Sequence, residues 1–348
     1  MAESRFKKYR EQLDRSEKQV KPVPEKSAAP LGTFVILTLL VLLTGVWGYY
    51  YIAKAPSNIA KKFADTQLLK ITFFDVGQGD SAFIMTPSGA TILIDAGGRP
   101  GYPAEENEEA QIEKNDYASG VIIPYLKKEL KFSATAHTPV FIDYYVATHP
   151  HPDHYGGFVT LIENNILPKK LYLCGSLKTY QLYTDFLAKM RNEKLPAVNV
   201  PTGKIIDFGD GVSAKFLGPL VRYSGTTSDD NNSSVVMKIY YKNVSVLFTG
   251  DIELAAENDL GNWRGVLKST VLKVANHGSR TSTSSPFLDK ASPLYTVISA
   301  GYDNTFGYPH EVTIKKLTDR NIKIYRTDRN GSITLITDGK LLKIDTER

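Results

Sequence analysis

Three of the six histidines in this 348-residue chain fall within six consecutive positions, in the pattern His149-x-His151-x-Asp153-His154. They directly follow the strand-like run VFIDYYVA. Where a loop leaves a strand, alternate positions project to one side, so His149 and His151 can reach one metal ion. Asp153 and His154 then turn back toward a second. Neutral imidazole and carboxylate suit a borderline ion such as zinc. A solvated loop that happens to be His-rich is the bland alternative. With so few histidines in the chain, their clustering favours a ligand set. Two more segments add donors. VSVLFTGD ends a strand in Gly250-Asp251, a carboxylate placed to bridge two ions, and VLKVANHGS places His277 in the same way. Each alone is ordinary, since Asp after Gly is usually a turn residue and a lone His usually structural. Together with the cluster they supply the five or six nitrogen and oxygen donors that a two-metal hydrolytic site takes, with positions left for water and substrate. The chemistry implied is attack by a metal-activated water, oriented by Asp153 and Asp251, with Lys273 or the backbone after His277 assisting. One or two ions per chain, Zn2+ or Mn2+, are expected.

Positioning such a set requires rigid elements. ITFFDVG, SAFIMTP, TILIDAGG and VFIDYYVATH read as successive strands. SVVMKIYY, VSVLFTGD, VLKVANH, YTVISAG and IKIYRT follow, and SITLITDGKLLKI resembles a hairpin. VIIPYLKKEL and the stretch around TYQLYTDFLAKMRNE have helical periodicity. Strands dominate with helices between them over about 280 residues, which suits an α/β architecture of two packed sheets covered by helices. Gly156-Gly157 is expected to permit a tight turn from the histidine loop into the next helix. Cys174, the sole cysteine, excludes both an intrachain disulfide and a cysteine-built zinc site. Its apolar neighbours mark it as a buried small side chain.

Residues 1–30 carry eight Lys/Arg and five Asp/Glu. The remainder carries 34 against 32, so the part after residue 30 is nearly neutral and bulk charge gives no case for a nucleic-acid partner. Residues 31–53, LGTFVILTLLVLLTGVWGYYYIA, contain no charge. As a helix they span roughly 34 Å, enough for a hydrocarbon core of about 30 Å. Trp47 and Tyr49 to Tyr51 sit at the end of the run where interfacial aromatics belong. The basic surplus before the run predicts a cytoplasmic tail over 1–30, a transmembrane signal anchor over 31–53, a linker over 54–69 and an extracellular domain over 70–348 of a bacterial single-pass protein.

FDVGQGDS (Phe74 to Ser81), ILIDAGG (Ile92 to Gly98), THPHPDHYGG, DNNSSVVMKI, LFTGD, LKVANHGS and FGYPHEV, in that order, resemble the signature series of metallo-β-lactamase-fold proteins. Within these the similarity is to the hydrolase domain of the ComEC competence type, over roughly residues 70–340. The resemblance implies an αββα sandwich with a metal site at the edge of the two sheets. It implies that His149 and His151 hold a first ion, that Asp153, His154 and His277 hold a second, and that Asp251 bridges. Asp75 matches the motif aspartate that orients the histidine loop from behind. Asp80, Asn232, Lys273, Asn304 and His310 stand as supporting or substrate-contacting candidates. Three departures stand out. No histidine lies between His154 and Asp251, where the family's third first-metal histidine would be, and Asp229-Asp230-Asn231-Asn232-Ser233 occupies that region. An oxygen ligand there would favour manganese over zinc. Asn276 replaces the first histidine of a common pair. Gly307-Tyr308-Pro309 replaces Gly-His-Pro, with His310 displaced by two.

The resemblance points to phosphodiesters, DNA foremost, as substrate. Against this stand the near-neutral domain and the loop GYPAEENEEAQIEKND, which adds six acidic residues against one Lys. A hydrolase of cell-wall or small-molecule esters or lactams, and a non-catalytic binding module retaining the fold, are the alternatives.

Overall fold

The computed structural model describes residues 67–101, 114–132, 138–175, 181–263 and 265–348. The tail, the anchor expected over 31–53, most of the linker, His137 and the centre of the acidic loop lie outside the described residues. Among the described residues no helix is long and apolar enough to cross a membrane.

Six strands build the first half: β1 (Leu69–Phe73), β2 (Ser81–Met85), β3 (Thr91–Ala96), β4 (Val140–Ala147), β5 (Ile166–Leu173) and β6 (Ala197–Asn199). Between them run α1 (Ile123–Leu130), α2 (Pro152–Glu163) and α3 (Gln181–Asn192). Seven strands build the second: β7 (Ile205–Asp207), β8 (Val212–Gly218), β9 (Val236–Tyr241), β10 (Val244–Phe248), β11 (Val271–Lys273), β12 (Tyr295–Ile298) and β13 (Lys323–Arg326). The helices of this half are α4 (Asp229–Asn232), α5 (Leu254–Leu260), α6 (Ser285–Ala291), α7 (Glu311–Thr318) and α8 (Thr327–Asn330). A closing hairpin, β14 (Ile333–Thr337) and β15 (Leu342–Thr346), returns to the first sheet beside β1.

The sheets run β15-β14-β1-β2-β3-β4-β5-β6 and β13-β12-β11-β10-β9-β8-β7. In each, the strands that feed the ligand loops are parallel: β3 to β6 in one, β10 to β13 in the other. Parallel strands covered on both faces are apolar on both. On β4, Tyr144 and Val146 face the opposite sheet while Tyr145 and Ala147 face the helices. On β10, Val246 and Phe248 face inward and Leu247 outward. Three apolar clusters result, one between the sheets and one under each helical layer. That is a four-layer αββα sandwich. Phe73 stacks on Phe248 at 5.5 Å across the sheet interface.

The glycine pair does not make a turn, as the sequence had suggested. Gly156 and Gly157 lie inside α2, which starts at Pro152. A Cβ on Gly157 would sit 2.1 Å from the Ala96 carbonyl oxygen, and one on Gly156 would sit 2.9 Å from Arg99 N. Glycine is there to let α2 lie against the end of β3. Strands β5 and β8 carried no expectation. β5 breaks its apolar run with Pro168, Lys169 and Lys170.

Candidate metal centre

The ligand loops leave the carboxyl ends of parallel strands, where α/β sheets place their binding crevices. β3 delivers Asp95, β4 delivers His149, His151, Asp153 and His154, β10 delivers Asp251, and β11 delivers His277. Several of these turns take left-handed backbone: Asp95 (φ +53°), Gly250 (+51°), Asn276 (+46°) and His277 (+50°). For the non-glycine residues that conformation costs on the order of 1 kcal/mol or more each, and it persists because the surrounding contacts hold it.

Asp251 Oδ2 lies at the centre. It is 3.2 Å from His154 Nε2, 3.1 Å from His277 Nε2 and 3.9 Å from His149 Nε2. Asp153 Oδ2 is 3.2 Å from His277 Nε2, and Asp153 Oδ1 is 3.7 Å from His154 Nε2. His149 Nε2 is 3.0 Å from His151 Nδ1, and His151 Nε2 is 3.9 Å from Asp230 Oδ2. Two ligands at about 2.0–2.1 Å from one tetrahedral ion are about 3.3 Å apart, so these separations are those of donors sharing a cation. His149, His154 and Asp251 form one such group, and Asp153, His154 and His277 another.

The hydrogen-bond directions agree. His154 Nε2, His277 Nε2, Asp153 Oδ1 and Asp251 Oδ1 are buried and make no hydrogen bond. Short distances without aligned N–H groups describe lone pairs converging on a common point, which fits a cation among them. The far side of each ring explains why. His277 Nδ1 donates to the Ser299 carbonyl at 3.0 Å, and His154 Nδ1 donates to Asp95 Oδ2 at 2.9 Å. An acceptor behind Nδ1 fixes the proton there and leaves the Nε2 lone pair facing the site. Thr148 Oγ1 donates to Asp95 Oδ2 at 2.7 Å and so is free to accept from His149 Nδ1 at 3.1 Å, which gives His149 the same tautomer.

The electrostatics point the same way. Burial would lower the His154 and His277 pKa values, but Asp251, helped by Asp153, outweighs it and holds both well above the ordinary range. Burial also raises Asp251, yet His277 and His154 keep it well below the carboxylate norm. Carboxylates that hold protons this firmly on neighbouring imidazoles would hold a cation in their place. His149 is pushed well below the ordinary value by burial and by His154, so it stays neutral, as a ligand must.

Several candidates sit elsewhere than the sequence suggested. Asp75 does not back the histidine loop: its carboxylate pairs with Arg348 at 2.7 Å, and its amide donates to Ser332 Oγ. Asp95 does what was assigned to it, gripping both Thr148 (backbone N, 2.8 Å) and His154. ILIDAGG ends an apolar run in Asp-Ala-Gly-Gly, as legible a signal as Gly250-Asp251. Asn232 faces away, accepting from Glu253 N and Ala256 N through Oδ1 while donating to Ser228 O through Nδ2. Its neighbour Asp230 is the residue of that stretch beside His151. Asn304 bonds only within its own loop, to Gly301 and Tyr308. His310 stands at the N-cap position of α7 without a side-chain capping bond and accepts from Arg280 N, one ring removed from the centre: Tyr308 lies between it and His277. Lys273 is buried behind the site, its Nζ 2.7 Å from Asp80 Oδ2, while Asp80 Oδ1 is 3.4 Å from His277 Nδ1. Burial would raise Asp80, but Lys273 and His277 keep it below the ordinary range. Neither residue is placed to touch substrate.

Comparison with known proteins adds to this geometry. The family model for the metallo-beta-lactamase superfamily matches residues 75–302. ComE operon protein 3 of Bacillus subtilis is 30% identical over 267 residues, covering 76% of this chain and 32% of its own. Competence protein ComA of Neisseria gonorrhoeae is 38% identical over 125 residues, 36% of this chain and 18% of its own. Recombination protein 2 of Haemophilus influenzae is 27% identical over 267 residues, 76% and 28%. The chain therefore spans about a third or less of these relatives. Among solved structures, Zn(2+)-bound PqqB from Methylobacterium extorquens aligns at a TM-score of 0.44 and 10% identity over 76% of this chain and 99% of its own, too remote to bear on chemistry. With a family model matched over more than half its length, and with imidazoles and carboxylates gathered at the ends of two facing sheets, this chain belongs to the metallo-β-lactamase superfamily.

Proposed function

We propose that this protein is a metal-dependent phosphodiesterase that acts on DNA or a related polyanion outside the cell, anchored through residues 31–53. The observation that carries the hydrolytic reading is the single oxygen Asp251 Oδ2, set 3.1 to 3.9 Å from three separate imidazole nitrogens. That arrangement would let one carboxylate serve two adjacent cations. When bound there, divalent ions supply acidification of water and positive charge opposite a phosphoryl oxygen. The chain's own residues do the rest. His149, His154 and Asp251 would hold one ion and Asp153, His154 and His277 a second, with His151 and Asp230 beside the first group. Asp153 Oδ1 and Asp251 Oδ1, both buried and without a hydrogen bond, are the acceptors that would orient an attacking water and take its proton. The Tyr308 ring stacks beside His277 at 6.1 Å. Arg280, exposed next to His310, presents a cation at the rim for a phosphate. The phosphodiester class is supported by two relatives whose names refer to competence and recombination.

The test is an assay of the full chain with Mn2+ or Zn2+ on single-stranded DNA, a bis-aryl phosphodiester and nitrocefin. We expect cleavage of the phosphodiesters, and His151→Ala combined with Asp153→Ala should lose bound metal and at least about a hundredfold in turnover. Cleavage of nitrocefin alone would assign the site to lactams. Inertness across the panel with metal bound would make it a binding module.

A further inference from the structure

At the rim of the centre, Arg280 and His310 meet in a way that leaves one donor facing another. The Arg280 backbone amide donates to His310 Nδ1 at 3.1 Å, so Nδ1 carries the lone pair and the ring proton sits on Nε2. That Nε2 is 2.9 Å from a guanidinium NH2 of Arg280, which also can only donate. A neutral imidazole has a single acceptor nitrogen, so the other tautomer would only move the mismatch to the backbone amide. Burial and Arg280 both lower the His310 pKa, which keeps the ring neutral. Among the described residues Arg280 has no carboxylate partner that would turn its guanidinium elsewhere. The loops behind the pair are fixed from within. His310 N donates to the Gly278 carbonyl at 3.1 Å and Thr313 Oγ1 to the Ser279 carbonyl at 3.0 Å, with Thr313 and Ser279 both buried. Two donor nitrogens 2.9 Å apart can share one oxygen lying about 2.9 Å from each. An anionic oxygen there would replace a repulsion with two hydrogen bonds, one of them between full charges.

Tyr308 sets how far this pair stands from the chemistry. Its ring is 5.1 Å from that of His310 and 6.1 Å from that of His277, and it lies between them. An anion held by Arg280 and His310 is thus an aromatic ring's breadth away from His277. We infer that Arg280 and His310 together bind a phosphate of the substrate other than the one cleaved. This rests on the phosphodiesterase reading above and narrows its substrates to chains that carry phosphates in series. Contacts to such phosphates fix the register of the chain on the protein, and an isolated diester would leave the pair unfilled.

The test is steady-state kinetics of the full-length chain with Mn2+ on two substrates: a bis-aryl phosphodiester with one phosphate, and a short single-stranded oligonucleotide with several. A contact to a phosphate that does not react is lost from ground state and transition state alike, so it shows in KM more than in kcat. Arg280→Gln and His310→Leu should each raise the ratio of oligonucleotide KM to bis-aryl KM about tenfold, the scale of one hydrogen bond to a charged group. In Arg280→Gln the salt dependence of the oligonucleotide KM should also fall, its log–log slope by about 0.7. His310→Gln should recover most of the loss, because its amide oxygen can accept from the Arg280 amide while its NH2 donates to the phosphate. Should His310→Leu melt early, Arg280→Gln, altered at an exposed side chain, still decides. An unchanged ratio in Arg280→Gln, an unmoved salt slope, or His310→Gln no better than His310→Leu would overturn the assignment. Inhibition by inorganic phosphate that is lost in Arg280→Gln while the ratio stays put would also overturn it, in favour of a site for the free ion. So would a wild type that cleaves the bis-aryl ester but not the oligonucleotide. A wild type that cleaves neither would instead defeat the phosphodiesterase reading itself, so the two failures are distinguishable.

Discussion

Asp95 and Ser299 never face the reaction space, yet they decide which nitrogen of two imidazoles is available there. His154 and His277 each have an acceptor behind Nδ1, a carboxylate in one case and a carbonyl in the other, so both present Nε2 as a lone pair. A carbonyl cannot be mutated away, but a carboxylate can. Asp95→Asn keeps the shape while offering an NH2 that can face His154 Nδ1 and impose the other tautomer. Partners behind metal-bound histidines are commonly worth 10–100-fold in metal affinity, and about that loss is expected here in a titration with Zn2+. Unchanged affinity would remove Asp95 from the role. Burial raises the Asp95 pKa against the pull of His154.

Helix α2 carries Asp153 and His154 in its first turn, so the site depends on how closely that helix sits against β3. Gly157 N donates to the Gly97 carbonyl at 2.9 Å, and the Ala96 carbonyl occupies the space a Cβ would need. By helix propensity alone, Gly157→Ala would stabilise by about 1 kcal/mol. A backbone oxygen at 2.1 Å cannot give way as a flexible side chain could, and overpacking costs about 1–3 kcal/mol. Sterics should win. Net destabilisation of about 1 kcal/mol or more is expected in denaturant unfolding, together with weaker metal binding as α2 shifts outward. A variant as stable as the wild type would show that α2 is free to adjust. At the same scale, α6 begins conventionally, with the Ser284 hydroxyl accepting from Phe287 N.

Across the whole molecule, the centre joins the two sheets. The first contributes Asp95 and the histidine loop, the second Asp230, Asp251 and His277. Ion binding should therefore stabilise the sandwich as a whole, with a pH dependence whose sign follows from His154 and His277. Their folded pKa values are raised, so in ion-free protein the protonated pair contributes stability that is fully present below the ordinary histidine value of about 6.5. That contribution is lost as pH climbs through the elevated folded values. An ion competes with those protons and gains as they leave. The rise in melting temperature on adding Zn2+ should be small near pH 5 and grow toward pH 8, and chelation should destabilise more at pH 8 than at pH 6. A pH-independent shift would contradict this account.

What the sequence determined alone is the set of chemistry-bearing segments and the elements that carry them. Period-two apolar runs marked most of the strands, and the clustered histidines with Asp251 and His277 marked the centre, because local pattern dictates local geometry. Tertiary structure alone decided which of several similar carboxylates serve it. Asp75, Asp80 and Asp95 all sit in strand-end motifs, yet only folding shows Asp95 behind His154, Asp80 tied to Lys273 and Asp75 paired with Arg348. Asp230 and Asn232 are two residues apart on one short helix and face different partners. Glu253 looked like any acidic residue after a turn until Asn231 and Asn276, 22 and 23 positions away, closed around it. Such contacts join distant segments, and the direction a side chain takes there is set by neighbours that no local spacing encodes.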